Sequence, residues 1–84
     1  MTDIKLYSSS ECIRCSLVKT MLNIHDVEYT EIKDNKELAL AKEIEEYPSI
    51  EVDGNIIDGY QRVLMWLENN GWYSLERGDN GEGN

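Results

Sequence analysis

Ile4-Lys5-Leu6-Tyr7-Ser8-Ser9-Ser10-Glu11-Cys12-Ile13-Arg14-Cys15 is the stretch from which the fold can be read. Ile4 to Tyr7 alternates apolar and polar side chains, the period-two pattern of a strand, and the serines after it read as loop. From Cys12 to Ile24 the period changes. Cys15, Val18 and Leu22, with Leu17, Met21 and Ile24 beside them, recur at helical spacing and predict a broad buried stripe. Ser10 is the expected N-cap, which sets Cys12 in or beside the first helical turn.

That placement decides the chemistry. A cysteine is nucleophilic only as thiolate, and its free pKa is about 8.5. The start of a helix offers unpaired N–H groups and the positive end of the helix dipole, both of which favour the anion. Cys12 is placed to receive that help, and Cys15, one turn on, lies within disulfide reach. The expected division of labour has Cys12 attacking a substrate disulfide and Cys15 resolving the mixed disulfide. Arg14 and Lys19 are expected to lower the thiol pKa and Glu11 to raise it. Two other readings of the pair stand beside this one. Zinc would need further ligands, and the chain holds only these two cysteines and one histidine, His25. An inert core pair fits poorly with a loop-to-helix junction.

Working outward, Val27 to Ile32 reads as a second strand, with Val27 and Tyr29 on one face. Residues 35–46 read as a second helix capped by Asp34 or Asn35. Leu40 and Ile44 should face inward, and Glu37, Glu43, Glu45 and Glu46 should form a solvated face. Pro48 stops this helix. Ser49–Val52 and Asn55–Ile57 are short strands joined by the hairpin signal Asp53-Gly54. A third helix runs from Tyr60 to Asn70, with Val63, Leu64 and Leu67 facing in and Asn69-Asn70-Gly71 as its stop. The order β-α-β-α-β-β-α predicts an α/β fold: a mixed four-stranded sheet flanked by three helices. Residues 1–73 form one domain, and 74–84 read as a disordered tail.

With 84 residues the chain has room for one small core. Its 17 acidic and 8 basic side chains give a net charge of −9, which argues against nucleic acid or an anionic membrane as partner. No apolar run approaches the roughly 18–20 residues of a membrane span, and Met1-Thr2-Asp3-Ile4-Lys5 is not signal-like. The expected compartment is the reducing cytoplasm, where such a cysteine pair cycles.

The strand–CxxC–helix unit, together with Tyr47-Pro48-Ser49-Ile50, Asp53-Gly54 and Asp58-Gly59 in that order, resembles the glutaredoxins over residues 4 to 73. The resemblance implies a thioredoxin-like fold. It also implies a thiol–disulfide oxidoreductase that reduces protein disulfides or glutathione mixed disulfides, with glutathione as co-substrate and no bound cofactor or metal. Pro48 would be the cis-proline beside the disulfide, and the Tyr47 backbone would pair with the substrate. Arg14, Gly59, Tyr60 and Gln61 would complete the groove. Some members instead hold a [2Fe–2S] cluster between two chains through the first cysteine and glutathione.

This chain departs from the family pattern at several points. Ile13-Arg14 stands where glutaredoxins carry Pro-Tyr or Pro-Phe, and Glu46-Tyr47-Pro48 stands for Thr-Val-Pro. Asp58-Gly59 replaces Gly-Gly, and the family's acidic residue for the glutathione amino group falls at Gln61 or Arg62. In these respects the chain is similar to the glutaredoxin-like electron donors of ribonucleotide reductase, which are commonly reduced by thioredoxin reductase. That likeness implies a monomer whose partners are disulfide-bearing proteins, ribonucleotide reductase among them.

Overall fold

The computed structural model describes residues 3–72; Tyr73 and the tail expected over 74–84 lie outside them. The elements are β1 (Ile4–Ser8), α1 (Ile13–Ile24), β2 (Thr30–Lys33), α2 (Lys36–Ala41), β3 (Ser49–Val52), β4 (Asn55–Asp58) and α3 (Tyr60–Asn69). They build the expected four-stranded mixed sheet in the order β2-β1-β3-β4. β1 runs parallel to β2 and antiparallel to β3, and β3 and β4 form the hairpin. At its tip both Asp53 (φ 50°) and Gly54 (φ 88°) are left-handed, the requirement of a tight type I′ turn.

Strand alternation divides the core between the two faces of the sheet. On one face Leu6 and Ile50 meet Val18 and Leu22 of α1 and Val63 and Leu67 of α3, all six fully buried. Burial of each such side chain stabilises the fold by about 1.5–3 kcal/mol. On the other face Tyr7, Ala39 and Ile44 form a smaller cluster with Ile32, Leu38, Tyr47 and Ile56.

Several boundaries differ from expectation. The N-cap of α1 is Cys12, whose sulfur accepts the Cys15 N–H at 3.1 Å; the Ser10 N–H instead donates to Asp34 Oδ1. Only Cys15, Val18 and Leu22 of the α1 stripe are buried. Leu17 and Ile24 are exposed because the partner surface spans three positions per two turns, not six. β2 begins at Thr30 because the Val27 N–H is taken by Leu22 O at the end of α1; Val27 and Tyr29 still reach the main core. α2 is half its expected length. It ends at Ala41, Glu43 turns left-handed (φ 61°), and the Ile44 N–H returns to Ala39 O. Ile44 is buried as expected, but Leu40 is 75% exposed, since Ala39 takes the inward position. Asn35, not Asp34, caps α2 by accepting the Leu38 N–H.

Candidate functional site

Cys12 and Cys15 are joined by a disulfide with their Cα atoms 5.3 Å apart. Cys12 is half-buried, whereas Cys15 is 1% exposed. Cys15 owes its burial to the α1 stripe it shares with Val18 and Leu22. Cys12 owes its exposure to the cap position, where the chain has not yet turned onto the core. Because Cys12 Sγ already faces the Cys15 N–H, a thiolate formed there on reduction would accept the same donor.

The loop before Cys12 is held from the β2 side. Asp34 adopts φ 56°, donates its N–H to Ser8 O at 2.9 Å and accepts the Ser10 N–H at 2.9 Å. That backbone hydrogen bond holds the Asp34 carboxyl below its ordinary pKa. The Cys12 N–H closes the loop onto Ser9 O. Below it, Glu31 Oε2 accepts from the Ser8 hydroxyl at 2.6 Å and from Lys19 Nζ at 3.0 Å. Hydrogen bonding from Ser8 and then Lys19 lowers the Glu31 pKa. Lys19, expected to act on the thiols, is thus engaged with Glu31.

A second loop faces the first. The Tyr47–Pro48 peptide bond is cis, and Pro48 is fully buried. Antiparallel pairing sets Ser49 opposite Tyr7, so Pro48 lies at the end of β1 from which the chain departs toward Cys12. Asp58 secures this loop. Its carboxylate accepts the Glu45 N–H (2.9 Å), the Glu46 N–H (3.1 Å) and the Ser49 hydroxyl (2.7 Å). Burial raises the Asp58 pKa, but these three hydrogen bonds and the nearby Arg62 charge outweigh it, leaving the carboxyl below its ordinary value. Ser49 Oγ also accepts the Gly59 N–H at 3.2 Å.

Beside the Glu45–Glu46 segment and the start of α3 lies a groove of about 470 Å³ lined by Arg14, Glu45, Glu46, Asp58, Gly59, Tyr60, Gln61 and Arg62, whereas Cys12, Cys15, Tyr47 and Pro48 are not in its lining. Four residues singled out in the sequence, Arg14, Gly59, Tyr60 and Gln61, therefore meet at one surface. The Arg14 guanidinium lies over the Tyr60 ring, 5.0 Å from its centroid, a cation–π contact. Tyr47 does not join them through its side chain, which packs on the opposite side of the sheet with Ile56 and Leu38. Gly59 adopts φ 105°, and a Cβ there would stand 2.8 Å from Glu46 Oε1.

Four residues of the site have no site role in the sequence reading. Asp34 and Asp58 act through backbone N–H groups distant in sequence, and no local pattern reports that. The helical pattern puts Glu45 and Glu46 on a solvated face; the early end of α2 carries them to the groove instead. Among the described residues no cluster of three or more His, Cys, Asp or Glu side chains could hold a metal ion. No described helix is long and apolar enough to cross a membrane.

No protein-family model and no curated protein matches the chain. Solved structures do. A mutant of the thioredoxin-like protein BC3987 matches at 25% identity and a TM-score of 0.67, covering 80% of this chain and 96% of that one. Glutaredoxin 1 from Francisella tularensis, complexed with cacodylate, matches at 18% identity and a TM-score of 0.63, over 84% and 93%. A buckwheat glutaredoxin–glutathione complex matches at 19% identity and a TM-score of 0.64, over 84% and 72%. The chain therefore has the thioredoxin-like fold that glutaredoxins share, and it carries a CxxC disulfide at the start of α1.

Proposed function

We propose that this chain of thioredoxin-like fold is a thiol–disulfide oxidoreductase, reducing protein disulfides or glutathione mixed disulfides through Cys12 and Cys15. One observation carries the reading: the two cysteines of a single disulfide differ in access, Cys12 being half-buried and Cys15 sealed at 1% exposure. In the reduced protein the Cys12 thiolate attacks one sulfur of the substrate disulfide, and the other leaves as a thiol. The Cys15 thiolate then attacks Cys12 Sγ, releases the second thiol and regenerates the Cys12–Cys15 disulfide. Two electrons pass to the substrate. Glutathione or a reductase returns them, and no bound prosthetic group is needed.

Tyr47, Pro48, Gly59, Tyr60 and Gln61 are assigned to the substrate groove, and Arg14 to the cationic flank of the thiolate. The structural likeness to a glutaredoxin–glutathione complex supports glutathione as one partner. Disulfide-bearing proteins, with ribonucleotide reductase as one candidate, are the others, and the chain acts as a monomer in the cytoplasm.

The test is turnover of a small mixed disulfide and of a protein disulfide, with glutathione and glutathione reductase, then with thioredoxin reductase, on wild type, Cys12→Ser and Cys15→Ser. Cys12→Ser is expected to abolish turnover with either reductant. Cys15→Ser is expected to stop reduction of protein disulfides, because nothing then releases the mixed disulfide internally. Wild-type protein inert with both reductants would overturn the proposal.

A further inference from the structure

The groove beside the disulfide is charged unevenly. Its lining carries two cations, Arg14 and Arg62, against three carboxylates, Glu45, Glu46 and Asp58. Arg14 is stacked on Tyr60, and Glu45 and Glu46 are both exposed. Their backbone N–H groups are bound by Asp58, and among the described residues their carboxylates form no ion pair. Ion pairs among the described residues join Lys5–Asp3, Lys19–Glu31 and Lys42–Glu51. The second cation of the groove, Arg62, acts on Asp58.

The position of Glu46 sharpens the asymmetry. Its carboxylate lies against Gly59, so close that a Cβ there would meet Oε1 at 2.8 Å. Gly59 is the N-cap of α3, the ten-residue helix Tyr60–Asn69, and no side chain caps that end. The start of a helix attracts negative charge. Here a carboxylate of the chain itself already stands beside that end, so an incoming carboxylate would meet a like charge.

Resting on the oxidoreductase reading, we propose that Glu45 and Glu46 form an acidic lip that sets substrate specificity. The lip favours disulfides borne on cationic segments of protein chains and slows those with anionic flanks. Glutathione, with two carboxylates against one ammonium, belongs to the slower class. The exchange chemistry at Cys12 is unchanged; what differs is the encounter and seating of the segment that carries the reacting sulfur.

At a separation of roughly 14 Å in water, exchanging a flanking lysine for glutamate alters the charge facing one carboxylate by two units and changes a rate by about threefold, and the effect fades once salt screens beyond about 10 Å. The experiment follows single-turnover reduction of three disulfides by pre-reduced, desalted protein. Two are symmetrical cysteine peptides differing only in flanking lysine or glutamate, and the third is glutathione disulfide. Quenching with an alkylating agent and counting the released thiol gives each rate.

The lysine peptide is expected to react about tenfold faster than the glutamate peptide at low ionic strength, with glutathione disulfide on the slow side. The ratio should fall about threefold in Glu45→Gln and again in Glu46→Gln. It should hold in Glu28→Gln, which removes the same charge ahead of β2, at the opposite edge of the sheet, and so separates the lip from the net charge of −9. High salt should bring the rates together. Equal rates for the two peptides, or a ratio that Glu28→Gln lowers as much as Glu46→Gln, would overturn the lip while leaving the oxidoreductase standing. Failure to reduce any of the three disulfides would remove both.

Discussion

Cys12 is both the cap of a helix and the outer sulfur of a disulfide, and the two roles come from one geometric fact. Its backbone is extended (φ −103°, ψ 106°), so its side chain turns back over the first turn and accepts the Cys15 N–H. Asp34 and Asp58 do comparable work on either side. Each carboxylate takes up backbone N–H groups of a loop that would otherwise have only water to bind, one before Cys12 and one before Pro48. Hydrogen bonds to a charged acceptor contribute about 1.5–3 kcal/mol each, less where water competes. Asp58→Ala, which removes three of them, is expected to destabilise the protein by about 2–4 kcal/mol. Urea unfolding measures that loss. Disulfide reduction should slow in the same variant under conditions where it remains folded, because the Tyr47–Pro48 loop loses its anchor. Full activity in folded Asp58→Ala would show that the anchor has no bearing on the groove.

The three helices end in the same way. After α1, α2 and α3 a left-handed residue follows the cap, and the next residue's N–H returns to the last turn. Asp26 (φ 55°) is followed by Val27 bonded to Leu22 O, Glu43 (φ 61°) by Ile44 bonded to Ala39 O, and Gly71 (φ 77°) by Trp72 bonded to Leu67 O. In each case an apolar residue comes just after the turn and packs onto the core, the signature of the Schellman motif. Only α3 places glycine at the left-handed position, where L side chains pay roughly 1–2 kcal/mol. Glu43→Gly is therefore expected to stabilise the fold by about 0.5–1 kcal/mol, after the added freedom of glycine in the unfolded chain is deducted. For a chain of this size that is roughly 2–8 °C in Tm. Gly71→Ala should lower Tm by a similar amount. A thermal melt reads both changes, and a fall in Tm for Glu43→Gly would contradict the motif.

Over the whole molecule, polar groups on both faces of the sheet tie stability to pH. Glu51, 6% exposed, accepts from the Tyr7 hydroxyl at 2.8 Å and from Lys42 at 3.4 Å. The Tyr7 hydrogen bond, ahead of the Lys42 contribution, lowers the Glu51 pKa. Burial, with Glu51 beside it, pushes Tyr7 up to about 12. Glu31, Asp34, Glu51 and Asp58 are all depressed in the folded state. The stability they contribute is present above their unfolded pKa values of about 4 and is lost as pH falls through the folded values. Tyr7 has the opposite sign. Its contribution is complete below pH 10 and declines as pH rises toward 12. Denaturant midpoints should therefore be flat through neutrality, falling below about pH 4.5 and again above about pH 10. Tyr7→Phe removes the alkaline decline. It also moves the acid decline to higher pH, because Glu51 loses the hydrogen bond that favours its charged form. An alkaline limb that persists in Tyr7→Phe would assign it to another group.

Elements whose pattern is local could be read from the sequence: the period-two run of β1, the stripe of Cys15, Val18 and Leu22, the Asp53-Gly54 turn and the Asn69-Asn70-Gly71 stop. Their order alone implied the sheet and three helices, and the two cysteines at a loop-to-helix junction implied the chemistry. Long-range hydrogen bonds and one left-handed turn decided the rest. Asp34 and not the strand before it holds the Cys12 loop, and the Glu43 turn cuts α2 short and sends Glu45 and Glu46 to the groove. Asp58, from the end of β4, fixes their backbone there. A sequence period reports which side of an element is apolar, because burial repeats with the element's own geometry. Partners distant in the chain leave no such period, so the groove's charge and the anchoring of the two loops exist only once the sheet has brought its four strands together.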